Sequence, residues 1–283
     1  MTANETSRIE EYYNFVLPLI KESGKLFLEV KKETLEVENK SDHDLVTIYD
    51  KKIEDTLISK IKAEFPHHRF IGEESSGTKH GTPTLTDDPT WIIDPIDGTT
   101  NFVKDIPFTG ISVGLVIEKI QVIGIIFIPH LNDLYTAIKG RGAYMNGKKI
   151  SCSNVQDIKK SLFCYEISVA SRSALFKLIL TRLQFLTKEV LAVRSFGCPV
   201  ISLCYVASGK LDAYQCDGLY PWDAAAGTLI VKEAGGYVID SSGEEFDLMK
   251  PNFIATSTKT LAEKYLAIEK IADNTWMKKE TDL

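Results

Sequence analysis

The chain has 283 residues, 44% of them apolar and 25% charged, enough to bury a substantial core as one large domain or two small ones. Its 39 acids against 33 bases give a formal net charge of −6, a field that repels the phosphate backbone of nucleic acid and argues against DNA or RNA as a polymer partner. Met1 to Glu11 is polar and acidic, unlike a secretory leader, and the longest apolar run, Val122 to Ile128, is too short to cross a bilayer as a helix. No membrane partner is expected. The five cysteines, Cys152, Cys164, Cys198, Cys204 and Cys216, contain no CxxC pair and fit a reducing, cytoplasmic setting without disulfides or zinc.

In chain order, Ile9 to Lys31 mixes apolar and charged positions at helical spacing, with Tyr13, Val16, Leu17, Ile20 and Phe27 offered to one face and Pro18 as a point of kinking. Leu35 to Ile48 has a strand pattern. Asp50 then opens a second helix whose Ile53, Leu57, Ile61 and Phe65 recur every four residues until Pro66. Arg69 to Gly72 and Trp91 to Ile93 are short apolar strands, each running into carboxylates at a loop. Ser112 to Ile117 and Gln121 to Ile128 predict adjacent strands, and Asn146-Gly147 predicts a tight hairpin. Beyond it, helices at Ala174 to Phe185, Val200 to Ser208 and Asp223 to Ala234 alternate with strands at Leu191 to Arg194 and Leu211 to Tyr214. A strand at Phe253 to Ala255 and a helix from Leu261 to Ile271 complete the chain. With no repeat or linker, the pattern predicts one unit of two packed halves, 1–150 of α+β character and 151–283 of α/β character.

Several phosphate-handling chemistries lack their residues here. No cysteine is followed six positions later by arginine, the one Asp-x-Asp pair (Asp42, Asp44) follows a polar stretch instead of a buried strand, and His-Glu-x-x-His is absent. The strongest signal is Asp94-Pro95-Ile96-Asp97-Gly98-Thr99-Thr100-Asn101-Phe102, which places two carboxylates beside a glycine turn and a helix start able to face an anion. Singly, Asp94 and Asp97 read equally well as turn and N-cap residues, Asp223 as a helix-start acid, and Glu73 and Glu74 as surface acids. Together, so many carboxylates would repel one another unless cations lay between them, and oxygen-only donors favour Mg²⁺ over zinc.

The segments Asp44-Leu45-Val46-Thr47 leading to Asp50, Gly72-Glu73-Glu74-Ser75, the block Trp91 to Phe102, and Trp222-Asp223 ahead of Glu233-Ala234-Gly235-Gly236 resemble, in this order, the inositol monophosphatase family. The resemblance spans roughly Lys40 to Met249, and the ending Gly98-Thr99-Thr100-Asn101-Phe102 separates it from the nucleotide and fructose bisphosphatase branches. It implies a layered αβαβα fold, a homodimer, Mg²⁺ dependence, lithium sensitivity and hydrolysis of inositol monophosphate or a similar phosphorylated polyol. It also implies site roles. Glu73, Asp94, the Ile96 carbonyl, Asp97 and Asp223 match metal ligands, and Asp50, Glu73 and Thr99 match the catalytic groups, with Asp50 behind Thr99. Ile96, Asp97, Gly98, Thr99 and Asp223 line the phosphate and leaving-group side.

The sequence departs from the family on the alcohol side. Seven residues before the Trp222-Asp223 carboxylate, where the family has a glutamate that bonds inositol hydroxyls, this chain has Cys216, with Asp217 beside it as a substitute. After Gly197, where Thr and Ala are common, it has Cys198 and Pro199. The candidate substrate-binding set is thus completed by Gly197, Cys198, Pro199, Cys216 and Asp217. The alternatives are a phosphatase for another sugar or nucleotide phosphate, and a catalytically idle metal-binding member.

Overall fold

The computed structural model describes residues 3–29, 37–41, 44–76, 83–168 and 176–281. Lys31, Leu35, Asp42 and Ala174, which bound or carry features expected above, lie outside these residues. Helix α1 (Ala3–Leu28) runs through Pro18, starts earlier than its periodicity suggests, and buries Ile9, Tyr12, Val16, Ile20 and Phe27. The hairpin β1 (Val37–Ser41) and β2 (Asp44–Thr47) leads into α2 (Ile48–Glu64), where Ile53, Leu57 and Ile61 form the buried stripe. Both helices cover one face of a seven-stranded sheet.

That sheet runs β3 (Arg69–Gly72), β4 (Thr90–Asp97), β5 (Gly110–Ile117), β6 (Ile120–Ile128), β7 (Asp133–Ile138), β8 (Ala143–Met145) and β9 (Lys148–Ile150) in spatial order. Within this sheet, among the described residues, only β3 and β4 pair in parallel. The β8–β9 hairpin turns at Asn146-Gly147, both with positive φ, as that dipeptide predicts.

The second sheet has the order β11 (Ala192–Arg194), β10 (Leu162–Tyr165), β12 (Ala213–Cys216), β14 (Phe253–Thr256), β13 (Tyr237–Asp240). Strands β7, β10 and β13 have no individual counterpart in the sequence reading, because four to six residues between polar loops carry too little periodicity. Helices α6 (Pro199–Ala207) and α7 (Pro221–Glu233) lie between the sheets, while α5 (Phe176–Leu186) and α8 (Lys259–Thr281) cover the outer face of the second. The layers are therefore αβαβα. The central helices are small-residue and apolar nearly all round, as a helix buried on both sides must be. Gly124 of β6 admits α7 closely: a Cβ there would sit 2.6 Å from the Ala226 carbonyl oxygen.

Candidate active site

Asp94 and Asp97, expected in a loop, both lie within β4, which continues four residues past Ile93 to its end at Asp97. Between them the register with β5 slips by one residue, Asp94 facing Ser112 and Asp97 facing Gly110. In a regular strand residues three apart point to opposite faces, and the bulge supplies the extra residue that brings both carboxylates to one side. Pro95, which has no N–H for the ladder, occupies the bulge. The Ile96 N–H turns back to Asp94 Oδ1 at 3.0 Å. The sequence signal for this was Pro between two acids; its reading as a loop missed that a bulged strand satisfies the same backbone.

Asp223 arrives from the first turn of α7, its Oδ2 accepting the Tyr220 N–H at 2.7 Å, and the helix start is tied to β5 by the Ser112 hydroxyl and the Trp222 carbonyl. Carboxylate oxygens of Asp94, Asp97 and Asp223 all fall within 4.8 Å of one another. Burial, then the charges of Glu73, Asp97, Asp223 and Asp50, drive the Asp94 carboxyl well above the usual carboxylate range. Burial likewise pushes Asp97 up to about 7, against the hydrogen bonds it accepts from Cys198 and Val200. Acids so placed repel one another, and a hard cation among them removes the cost. The donor set therefore fits Mg²⁺.

Glu73 opens the short α3 (Glu73–Ser76) at the end of β3, and its charge is the largest single electrostatic influence on Asp94. What seats α3 is Glu54, a buried residue of α2 that the sequence reading passed over. Its Oε2 accepts the Glu74 N–H at 2.8 Å and its Oε1 the Ser75 N–H at 2.7 Å. An acid one turn after Asp50 on the apolar stripe of α2 was the available signal.

Asp50 is the N3 residue of α2 and accepts from the Thr47 N–H (2.8 Å) and hydroxyl (2.5 Å) through Oδ2, a capping box. Burial pushes its carboxyl up to about 7, and its buried Oδ1 has no hydrogen-bond partner among the described residues. The Thr99 hydroxyl reaches back to the Ile96 carbonyl at 3.1 Å. Among the described residues Asp50 and Thr99, which begins α4 (Thr99–Val103), share no hydrogen bond: Asp50 Oδ2 accepts from Thr47, and the Thr99 hydroxyl donates to the Ile96 carbonyl. Gly98 turns the chain between β4 and α4 at φ 82°, where a Cβ would meet the Phe108 carbonyl oxygen at 3.0 Å and Cys198 Cβ at 3.2 Å.

Of the residues expected from the sequence to face the alcohol, Cys198 is fully buried as the N-cap of α6, its Sγ 2.9 Å from Asp97 Oδ2, and Pro199 fills the first helical position. Gly197 precedes them at φ 67°. Cys216 ends β12 at 3% exposure, and the Asp217 carboxylate turns to Arg182 of α5. All five cysteines are free and buried.

The profile of the Inositol monophosphatase family matches residues 8–273. Inositol monophosphatase 2 of Solanum lycopersicum is 41% identical over 250 residues, covering 88% of this chain and 94% of its own. Inositol monophosphatase 1 of Bos taurus is 40% identical over 257 residues, covering 90% and 92%. The crystal structure of the extragenic suppressor protein from Bartonella henselae superposes with a TM-score of 0.83 at 29% identity, covering 92% of this chain and 98% of that one. With its acidic cluster at the bulged end of β4 and its αβαβα layers, the chain belongs to the inositol monophosphatase family.

Proposed function

We propose that this protein hydrolyses a phosphate monoester, inositol monophosphate, to inositol and phosphate with Mg²⁺ as its cofactor. The observation that carries this reading is the convergence of Asp94, Asp97 and Asp223 within 4.8 Å in a chain about 40% identical to inositol monophosphatases over nearly its whole length. Glu73, Asp94, the Ile96 carbonyl, Asp97 and Asp223 would hold the metal. Bound there, Mg²⁺ would supply Lewis acidity to the phosphate and acidify a water, so no covalent phosphoenzyme is required. The protein's own contribution is positional. Asp50 keeps one buried carboxylate oxygen uncommitted beside the cluster, suited to orienting the attacking water with Thr99. Gly98 and Thr99 would offer backbone N–H groups to the phosphate, and Asp223 stands on the leaving-group side. Inorganic phosphate release from inositol 1-phosphate, with and without Mg²⁺, tests the reading; metal-independent release, or none, overturns it.

Residues 1–150 and 151–283 are best read as one phosphatase unit, since a single core runs from Ile92 and Ile126 through α6 and α7 to Tyr214 and Phe253. Family resemblance supports lithium inhibition and a homodimer, the latter aided by exposed Phe176 and Leu180 on α5 and exposed Leu191 just before the edge strand β11. Five free thiols support a cytoplasmic location.

A further inference from the structure

Immediately after β10 the chain buries an acid that neither the cluster nor the motifs include. Glu166 is 4% exposed, and both its oxygens are engaged. Oε1 accepts the Ser168 N–H (3.2 Å), the Ser168 hydroxyl (2.7 Å) and the Ser195 hydroxyl (2.9 Å). Oε2 accepts the Gly197 N–H at 2.8 Å. Burying this carboxylate is tolerable because each of its oxygens accepts at least one hydrogen bond from the protein. Among the described residues its hydrogen-bond partners lie at 168 and 195–197, and the second segment is the turn that enters α6.

The same turn is held from the opposite side by Asn101 of α4, whose Nδ2 donates to the carbonyls of Phe196 (2.7 Å) and Phe108 (2.9 Å). Glu166, just after β10 of the five-stranded sheet, and Asn101 of α4, just after β4 of the seven-stranded sheet, thus pin one turn between them. Directly after that turn come the two groups that bond Asp97: the Cys198 thiol (2.9 Å) and the Val200 N–H (2.7 Å), both donating to Oδ2. With Oδ2 so committed, Asp97 presents Oδ1 in a single orientation.

We propose that Glu166 is a positioning residue for the metal site, acting through the Ser195–Val200 turn to fix which oxygen of Asp97 faces the cation. This rests on the reading of Asp97 as a metal ligand. A carboxylate free to rotate would have to be ordered each time the ion bound, whereas here the second sheet orders it in advance. The position also gives the α6 side of the molecule a means of setting metal affinity without touching metal or substrate. The sequence feature behind it is a short apolar strand ending in acid, the same pattern that marks Gly72-Glu73 and Ile93-Asp94.

The test is calorimetric titration of the full chain with Mg²⁺, run with thermal midpoints, kcat and KM. Glu166→Ala should weaken Mg²⁺ binding by about tenfold or more, the scale of losing a group that orients a ligand. Glu166→Gln, which retains an acceptor for the Gly197 N–H and can accommodate the serine hydroxyls, should stay within about threefold. Glu166→Asp, too short to reach Ser195 and Gly197 together, should fall between them. In an Asp97→Asn background, Glu166→Ala should add no further weakening, because the oxygen it orients has been replaced. A folded Glu166→Ala with parental Mg²⁺ affinity overturns the proposal, as does an equal loss in both backgrounds. If Glu166→Ala does not fold, Glu166→Asp decides, and unchanged affinity there overturns it. If Asp97→Asn itself binds Mg²⁺ as the parent does, the ligand assignment fails instead, and the two failures are distinct.

Discussion

Asp217 Oδ2 lies 2.8 Å from Arg182 Nη1, in a group where the same guanidinium also bonds both carboxylate oxygens of Asp273 on α8 and lies 3.5 Å from Glu269. Arg182 is buried, so this is a crosslink between α5, α8 and the loop after β12. It bears on substrate recognition, since Asp217 is the nearest carboxylate in sequence to Cys216, where the family has a glutamate. An aspartate committed to a buried arginine is withdrawn from the alcohol. Asp217→Asn should therefore lower the unfolding free energy by about 1–3 kcal/mol for loss of a charged hydrogen-bond partner, seen as a lower thermal midpoint, while leaving the kcat/KM ratio of inositol 1-phosphate to a simple phosphate ester within about threefold. A large loss confined to inositol 1-phosphate would assign polyol recognition to Asp217 after all.

The contact between β6 and α7 predicts the effect of adding one methyl group. Ala at position 124 would press its Cβ to 2.6 Å from the Ala226 carbonyl oxygen, a backbone atom that no rotamer change can move. Overpacking of this kind costs about 1–3 kcal/mol. Because α7 carries Asp223, Gly124→Ala should also weaken Mg²⁺ binding. Denaturant unfolding and Mg²⁺ titration check both; parental stability would mean the sheet and helix yield more readily than this geometry allows.

Periodicity and strand-end acids made most helices, the hairpin at Asn146-Gly147 and the acidic cluster legible in the sequence. What stayed hidden shares a physical cause: it depends on contacts between segments far apart in the chain. Glu166 looks like any acid after a strand until the turn at 195–197 folds onto it. Cys198 looks like a packing residue near the alcohol until its thiol is found against Asp97. The β4 bulge is local, yet Pro95 between two acids suits a loop and a bulged strand equally, and only pairing with β5 decides. The end of α8 at Thr281, ten residues beyond Ile271, was obscured by a charged tail with weak apolar spacing.

Histidine 68 supplies a pH prediction remote from the site. Its Nδ1 accepts the Trp91 indole N–H at 3.0 Å, so the folded ring must be neutral at that nitrogen, and its face stacks on Phe65. Burial, with the Arg8 charge, lowers its pKa to about 4. Between pH 6.5 and about 4 the unfolded chain therefore binds a proton that the folded chain refuses, and stability falls as pH falls through this window. The ceiling for such a shift is about 3 kcal/mol, reduced to about 1 kcal/mol because the ring is half open to solvent. Other groups titrate in the same range, so the informative quantity is the difference from His68→Asn, which keeps an acceptor for Trp91 and cannot titrate. The parent should lose more stability than this variant on acidification; parallel curves would reject the assignment.

The acidic cluster predicts the opposite sign in the absence of metal. Asp94 and Asp97 hold their protons in the folded chain well above the usual carboxylate range, so from about pH 4 to about pH 7 the folded state binds more protons than the unfolded one. Their contribution to stability therefore declines as pH rises, and Mg²⁺, which requires the ionised carboxylates, should restore more the higher the pH. The thermal midpoint gained on adding Mg²⁺ should accordingly be small near pH 5 and grow toward about pH 7.5. Asp94→Asn removes one charge from the cluster at nearly constant shape. It should lose turnover by more than about a hundredfold, the upper range for disrupting even a group one bond removed from a metal. It should also be at least as stable as the parent without Mg²⁺, and gain far less when Mg²⁺ is added. An Asp94→Asn protein that retains both Mg²⁺-dependent turnover and the parental Mg²⁺ stabilisation would show that the buried acids of β4 serve packing and not catalysis.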